Sequence, residues 1–339
     1  MRTRANRLGR PLRLTLAGLA LAVLAAGYAD PGMAAVGEYR LIAGTQVAVG
    51  TPFDKGIVKL KELVEARTNK RVLIQNYPAS QLGNEPELFQ GMMQGTVDIA
   101  VVAPGQLGEF VPQIALLEMP FVITNVAQRD RVVEGRPMQK LAEIVKQKTG
   151  VEIIGVFGGG VRNMFFRKPV KAPEDMKGRR FRVQPSPQLT DSYKALGLEP
   201  VVTSYPELYN ALQQGVAEGA EMEAIYVEKA GFPVAAPHFL MTRHVITIRP
   251  LSMSGKTLAK LPPDLAKIVR EAALEAARYE RGIESSEDEA SLARMAKMKG
   301  VTFTEVKVGP MIEAVRPVWE KYAKEWNLMD LLKEIESLR

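Results

Sequence analysis

Apolar and polar residues alternate along this chain with two periods, that of a strand and that of a helix. Residues 39–44 and 72–74 read as strands, and between them an apolar stripe at helical spacing begins near Pro52. Thr51 stands where the N-cap of that helix is expected, with proline at the first helical position. A strand–helix–strand opening is typical of an α/β sheet.

The next helix carries a clear start signal. Asn84 with Glu87 three residues later predicts a reciprocal capping box. Gly95 ends that helix, and residues 98–102 are predicted to form a strand. Ala103 follows the carboxyl end of this strand, which is where ligands sit in open α/β sheets.

The same two periods continue through the second half of the chain. They predict strands over residues 152–157, 163–166, 201–202 and 239–248 and helices over residues 188–195 and 264–299. Ser204 with Glu207 predicts a second capping box. The last helix would be about 54 Å long, so we expect it to lie across two domains. Its predicted buried stripe consists of Leu265, Ile268, Ala272, Ala276, Tyr279 and Ile283.

One predicted strand, residues 180–184, carries candidate binding chemistry. Alternation places Phe181 and Val183 on one face and Arg180, Arg182 and Gln184 on the other. A guanidinium held on a rigid strand suits two-point capture of a carboxylate. From this segment alone two interpretations stay open: Arg182 holds an organic anion in a cleft, or these arginines are solvated surface charge.

The first 34 residues are predicted to be an export signal. Five arginines precede an apolar run of 16 residues from Leu14 to Ala29, which is short for a spanning helix, whose usual length is about 20 residues. Small residues are consistent with cleavage after Ala29 or after Ala34. No later stretch is long and apolar enough to span a membrane, so we expect an exported, periplasmic protein.

Composition narrows the possible functions. The chain has 339 residues, of which 46% are hydrophobic and 24% are charged, and these values are typical of a globular protein of two domains. The absence of cysteine excludes disulfides and thiolate metal sites. The net charge of +7 falls to +3 when five arginines and one aspartate are lost with residues 1–34. Nucleic-acid binding therefore gains little support.

Catalytic motifs are sparse. His238 and His244 stand six residues apart, which fits neither one helical face nor the usual close metal pairs, and there is no HExxH or GxSxG motif. The glycines at 158–160 follow a predicted strand but lack GxGxxG spacing, so a dinucleotide site is rejected. We expect a binding protein with no cofactor and no metal rather than an enzyme, although a triad of distant residues stays open.

Several short segments stand in a characteristic order. They are YPASQLG at 77–83, GTVD at 95–98, MPF at 119–121, MKGRRFRV at 176–183, YNALQQG at 209–215 with Glu218 and Gly219, and the long helix after Leu261 and Pro262. In this order and spacing the sequence resembles the DctP-like solute-binding subunits of tripartite ATP-independent periplasmic (TRAP) transporters, over essentially the whole chain after residue 34.

The resemblance implies a two-lobed α/β fold of the periplasmic-binding-protein type. Two α/β domains would be joined by hinge strands and by the long helix, with a small organic acid between them. Residues 35–159 with 249–287 would form domain I, and residues 160–248 with 288–339 would form domain II. The implied partners are the membrane subunits of the transporter, and a monomer is the expected state.

The resemblance also assigns ligand-binding positions. The carboxylate-clamping arginine of the family falls on Arg182, and a second pocket arginine falls on Arg162. The other ligand-binding positions fall on Gln46, Glu85, Ala103, Phe121, Tyr205 and Met222.

Two departures from the family pattern bear on the ligand. Sialic-acid-type members carry an acidic residue at the position of Ala103 and asparagine at that of Met222. The loss of two polar groups argues against a polyhydroxy sugar acid, because a buried hydroxyl needs a partner, and favours a smaller or more apolar acid. Glu221 and Glu223 could serve a water, a cation or an amine, but solvent exposure is the favoured interpretation. A receptor that reports to a sensor kinase and a periplasmic enzyme on the same fold remain as alternative functions.

Overall fold

The computed structural model describes residues 36–339, and the strands of this range form two separate sheets. The strands are β1 Tyr39–Gly44, β2 Val72–Tyr77, β3 Ile99–Val101, β4 Val151–Phe157, β5 Val161–Phe166, β6 Arg180–Val183, β7 Glu199–Val202, β8 Gly219–Glu223, β9 His238–Ile246, β10 Arg249–Ser254 and β11 Thr302–Glu305. The predicted export signal lies outside the described residues.

The first sheet has the order β2-β1-β3-β10-β4 and the second has the order β11-β9-β5-β8-β6-β7. In the first sheet β10 runs antiparallel to both of its neighbours, whereas β1 pairs in parallel with β2 and β3. In the second sheet β5 is antiparallel to β8 and β9, and β6 is parallel to β7 and β8. Both sheets are therefore mixed, as expected for two α/β layers.

Helices cover the sheets. They are α1 Pro52–Arg67, α2 Glu85–Gln94, α3 Pro104–Leu107, α4 Val126–Glu134, α5 Arg136–Thr149, α6 Pro187–Ala195, α7 Leu208–Gln214, α8 Ala224–Lys229, α9 Gly255–Lys260, α10 Pro263–Met295, α11 Gly309–Glu325 and α12 Met329–Ser337, with 3₁₀ stretches at Pro112–Glu118, Pro173–Met176 and Phe232–Val234. Among residues 36–339, no helix combines the length and apolar character needed to cross a bilayer.

The chain passes between the two sheets at three places: from β4 to β5 through residues 158–160, from β9 to β10 through residues 247–248, and from β10 to β11 through α9 and α10. The long helix α10 packs against α1 and β4 on one side and against α8 on the other, so it contacts elements beside both sheets. The predicted limits of domains I and II remain predictions.

The buried face of α10 differs from the predicted stripe. Tyr279 is exposed and Ile283 is only partly buried, whereas Glu280, Glu284 and Asp288 are buried. Two of these carboxylates accept hydrogen bonds from backbone N–H groups of the segment 158–160, of β5 and of α8. Gly158 N donates to Glu280 Oε2 at 2.7 Å, and Asp288 accepts from two further backbone N–H groups.

The three predicted caps have different outcomes. The capping box of Asn84 and Glu87 is present in full. Thr51 does stand at the N-cap of α1, but its hydroxyl donates to Ala48 O and makes no capping bond. The Ser204 hydroxyl donates to the Glu207 carboxylate at 2.7 Å, and α7 begins only at Leu208, so this segment is a turn before the helix and the predicted capping box is wrong.

Candidate functional site

Arg182 lies on β6 with its side chain buried at 1% exposure. Phe181 and Val183, on the opposite face, are in the hydrophobic core, which confirms the predicted alternation. Arg180 is exposed, so the surface interpretation holds for that residue and is wrong for Arg182. The same strand thus turns one guanidinium to solvent and holds another inside the protein.

The Arg182 guanidinium is only partly satisfied by the protein. Its Nε donates to Thr203 O at 2.9 Å, and among residues 36–339 no hydrogen bond is made by its two terminal nitrogens. The pKa of Arg182 is lowered to about 10, mainly by burial. Glu221 opposes this shift and nearby Arg162 adds to it. A buried cation with free donors is a suitable partner for an incoming anion.

Arg162, on β5, is buried and already paired. It donates to both Glu221 carboxylate oxygens, with Nη2 2.7 Å from Oε1, and its Nη1 lies 3.2 Å from both oxygens of Glu223. The expectation that Glu221 and Glu223 face solvent is wrong, since both are buried on β8 opposite β5. Burial favours the neutral carboxyl, but Arg162 outweighs this and holds the pKa of Glu221 at about 2.

A third buried arginine, Arg249, joins this network from the start of β10. Its Nη1 donates to Glu118 Oε1 at 3.0 Å, and its Nη2 lies 3.4 Å from Glu223 Oε1. Burial lowers the pKa of Arg249, but Glu118 and Glu223 more than compensate and raise it above its usual value. Arg162 and Arg249 are therefore neutralised by the protein, and Arg182 is the arginine of this group with terminal donors unused by the described residues.

His244 is buried beside Glu221, the partner of Arg162. Its Nε2 lies 3.1 Å from the Tyr193 hydroxyl and 3.4 Å from Glu221 Oε2, and its Nδ1 lies 2.7 Å from the Thr242 hydroxyl. Both ring nitrogens are thus engaged inside the protein, next to the carboxylate that holds Arg162. Arg243 makes this possible: it has a φ of +45°, where the β5–β9 pairing shifts register.

Gln46, Glu85 and Ala103 meet in one hydrogen-bonded group at the carboxyl ends of β1 and β3. Gln46 Nε2 donates to Glu85 Oε1 at 2.6 Å, and Ala103 N donates to Glu85 Oε2 at 2.6 Å. Burial raises the pKa of Glu85 to about 7, although Arg249 opposes the shift. The amide oxygen of Gln46 is buried and has no partner among residues 36–339.

A cavity of about 250 Å³ opens between the two sheets. From the first sheet it is lined by Gln46 and by residues of the 48–51 and 79–80 loops, and from the second by Tyr205, Tyr226 and their neighbours. The Tyr226 hydroxyl is buried and has no partner among the described residues. Burial raises the pKa of Tyr205 to about 12, Glu223 adds to this and Arg182 opposes it. Tyr205 therefore links the cavity to the buried arginines.

Of the eight predicted ligand positions, Gln46 and Tyr205 line this cavity, whereas Arg182, Arg162, Glu85, Ala103, Met222 and Phe121 are not among its lining residues. Met222 is buried on β8 and pairs with Asn163 of β5. Phe121 is buried, its N–H donates to His244 O at 2.6 Å, and its φ is +64°, which bulky residues rarely adopt. The ligand roles of all eight positions remain predictions.

Sequence reasoning missed several buried polar residues around the arginines and the cavity. Glu118, Arg249 and Tyr226 were not singled out, because each comes from a different part of the chain and none forms a local motif. Gln184 was placed on the face of Arg182 but given no role; its amide donates to Glu118 Oε2 at 2.9 Å. The spacing of Gln184 from Arg182 on one strand was the single available signal.

Two mixed α/β sheets, a long helix beside both, a cavity between the sheets and a separate buried arginine with unused terminal donors fit the class of a two-lobed solute-binding protein. The family model described as bacterial extracellular solute-binding protein, family 7 (DctP), matches residues 43–325. The chain belongs to this family and is a solute-binding protein of the TRAP transporter type.

Individual relatives agree with this assignment. A solute-binding protein of Sulfitobacter sp. strain NAS-14.1 is 35% identical over 84% of this chain and 87% of its own length. A crystal structure of a TRAP periplasmic solute-binding protein from Sulfitobacter sp. NAS-14.1, with bound α-D-taluronate, has a TM-score of 0.84 at 34% identity and covers 87% of this chain and 97% of its own. One from Pseudomonas putida F1, with bound D-glucuronate, has a TM-score of 0.84 at 27% identity and covers 88% and 97%.

Proposed function

We propose that this protein captures a hexuronate or a closely related sugar acid between its lobes. The observation that carries the proposal is Arg182, a buried guanidinium whose two terminal nitrogens are unused by residues 36–339. A ligand carboxylate would accept from both nitrogens, and burial would strengthen that pair relative to the same contact in water. Arg162 would shape the site while remaining bound to Glu221 and Glu223.

The polar lining of the cavity supports a hydroxylated ligand. Gln46 Oε1 and the Tyr226 hydroxyl are buried and lack partners among the described residues, and both side chains line the cavity between the sheets. Sugar hydroxyls would satisfy such groups, whose desolvation is otherwise costly. This replaces the smaller or more apolar acid favoured by Ala103 and Met222, because Gln46 and Tyr226 supply polar groups at other positions.

The size of the cavity is consistent with the same ligand class. Ligand pockets usually measure about 300–1,000 Å³. The cavity of about 250 Å³ lies just below that range, which suits a ligand no larger than a single sugar ring or open chain. The relatives from Sulfitobacter and Pseudomonas hold uronates on the same fold. Their ligands support a hexuronate here as well.

Capture would take place in the periplasm, after removal of the predicted export signal over residues 1–34. The ligand contacts both lobes when they are closed, so its binding energy favours the closed form. The closed form would then deliver the acid to the membrane subunits of a TRAP transporter, without chemical conversion. The engagement of both His244 nitrogens within the protein agrees with the absence of catalysis.

The test is a comparison of matched ligands. Purified protein without residues 1–34 is titrated calorimetrically with D-glucuronate and D-galacturonate, with D-glucose and D-galactose as uncharged matches and with succinate and lactate as small acids. We expect a uronate to bind at least a hundredfold more tightly than its parent sugar. Tight binding of succinate or lactate with no response to either uronate would overturn the proposed ligand class.

A further inference from the structure

Glu118 lies at a junction between the two sheets, close to the ligand arginine. It ends the 3₁₀ stretch Pro112–Glu118, which packs on α3 beside the first sheet. Its Oε2 accepts from Gly105 N of α3 at 2.6 Å and from the amide of Gln184 at 2.9 Å. Gln184 directly follows β6 in the second sheet, two residues after Arg182. One carboxylate oxygen thus joins elements of both sheets.

The junction is buried and closely packed. Glu118 and Gln184 are each 4% exposed. A Cβ placed on Gly105 would lie 2.7 Å from Glu118 Oε2, 2.9 Å from Gln184 Nε2 and 3.3 Å from Ser186 Oγ. The lack of a side chain at Gly105 therefore permits this approach of α3 to the segment that follows β6.

The remaining oxygen of Glu118 fixes its charge state and orientation. Oε1 accepts from Arg249 Nη1 at 3.0 Å and lies 4.0 Å from Arg162 Nη1. With these cations beside it, Glu118 is an anionic acceptor, and hydrogen bonds to an ionised carboxylate are about twice as strong as neutral ones. If the lobes separate when the protein opens, the bond from the Gln184 amide to Glu118 exists only in the closed form and stabilises it.

We propose that Glu118 and Gln184 form a latch that holds the lobes closed over the ligand, with Gly105 as the residue that lets them meet. They are positioning residues: they touch each other and not the ligand, and they act by slowing its escape. The inference rests on the proposed capture of an acid between two lobes. Opening of the lobes must break the Glu118–Gln184 bond, whereas the first encounter with the ligand does not require that bond. Loss of the bond should therefore raise the dissociation rate and leave the association rate nearly unchanged.

Stopped-flow fluorescence with D-glucuronate measures the association and dissociation rates of the wild type, Gln184→Ala and Gln184→Glu. We expect Gln184→Ala to raise the dissociation rate about tenfold with association changed less than about threefold. Gln184→Glu, which sets two carboxylates against each other, should raise it further. The matched control is Gln188→Ala, because Gln188 is an equally buried glutamine whose side chain bonds to Ser186 on the same side of the cleft.

An exchange variant separates a latch from general support of the fold. In Glu118→Gln/Gln184→Glu the amide and the carboxylate change places, so the double variant should release ligand more slowly than Gln184→Glu alone. Gly105→Ala tests the junction from the first sheet and should also accelerate release.

These experiments distinguish failure of the latch from failure of the proposed ligand class. If the wild type binds neither uronate, the proposed ligand class fails before the latch is tested. If the wild type binds, and Gln184→Ala, Gln184→Glu and Gly105→Ala release D-glucuronate at the rate of Gln188→Ala, the latch is overturned. Faster release in the Gln184 and Gly105 variants, with recovery in the exchange variant, supports it.

Discussion

Replacement of Glu284 by glutamine should stabilise the protein at alkaline pH. Glu284 is fully buried on α10 between Glu280 and Asp288, and neither of its carboxylate oxygens finds a donor among residues 36–339. Burial raises the pKa of Glu284 well above its usual range, and the charges of Glu280, Glu223 and Asp288 add to this. Burial thus favours the neutral carboxyl of Glu284, and a glutamine amide is neutral at every pH.

The neighbouring buried carboxyl Glu280 gives the scale of such a contribution. Burial raises its pKa from 4.5 to about 7, and the N–H of Gly158 opposes the shift. At 1.36 kcal/mol per unit, this corresponds to about 3 kcal/mol. A carboxyl whose pKa is raised in the folded state stabilises the fold fully below about pH 4.5 and loses that contribution as the pH rises through about 7. Wild-type stability should therefore fall between pH 5 and pH 8.

Urea unfolding followed by circular dichroism at pH 5 and pH 8 measures this difference. We expect Glu284→Gln to raise the free energy of unfolding by about 3 kcal/mol at pH 8 and by less than about 1 kcal/mol at pH 5. Glu271→Gln, an exposed carboxylate on the same helix, is the matched control and should change little at either pH. If Glu284→Gln lowers the free energy of unfolding equally at pH 5 and at pH 8, this interpretation of Glu284 is refuted.

Three further predictions concern the site. Burial raises the pKa of Glu85 to about 7, so wild type should lose stability between pH 6 and pH 8, and Glu85→Gln should make that loss about 1 kcal/mol smaller. Urea unfolding at the two pH values checks this, and an unchanged loss counts against it. Arg162→Met should lower the thermal midpoint strongly, since removing one partner of a buried ion pair costs about 3–5 kcal/mol; a loss of uronate affinity at unchanged stability would instead make Arg162 a direct ligand group. His244→Gln, read by calorimetry and thermal unfolding, should weaken uronate binding less than Arg162→Met does, because His244 supports Glu221 without pairing with Arg182; equal loss would contradict this order.

Features set by neighbouring residues could be predicted from the sequence. The Asn84–Glu87 capping box is local, and its two hydrogen bonds span three residues. The alternation along β6 is local too, and it placed Arg182 and Gln184 on one face. What local pattern could not decide was whether that face is covered: Arg180 and Arg182 share it, yet one is exposed and the other is buried.

Features set by distant partners were mispredicted. Glu221 and Glu223 were expected in solvent because charged residues usually are, but Arg162 and Arg249, at other places in the chain, compensate their burial. The buried carboxylates of α10 were missed for the same reason, because Glu280 accepts from Gly158 and Asp288 accepts from Val161, both far from α10 in the chain. Composition and periodicity predict which apolar residues are buried. They do not predict which buried carboxylates pair with arginines or backbone donors from distant parts of the chain.

The central claim is that Arg182 holds the carboxylate of the ligand. Calorimetric titration of wild type and Arg182→Met with D-glucuronate and with its uncharged amide, D-glucuronamide, tests it most directly. We predict that the wild type prefers the acid by at least a hundredfold and that Arg182→Met loses at least tenfold of this preference, as expected for a buried charge-assisted pair. An Arg182→Met protein that prefers the acid as strongly as wild type does would contradict the claim.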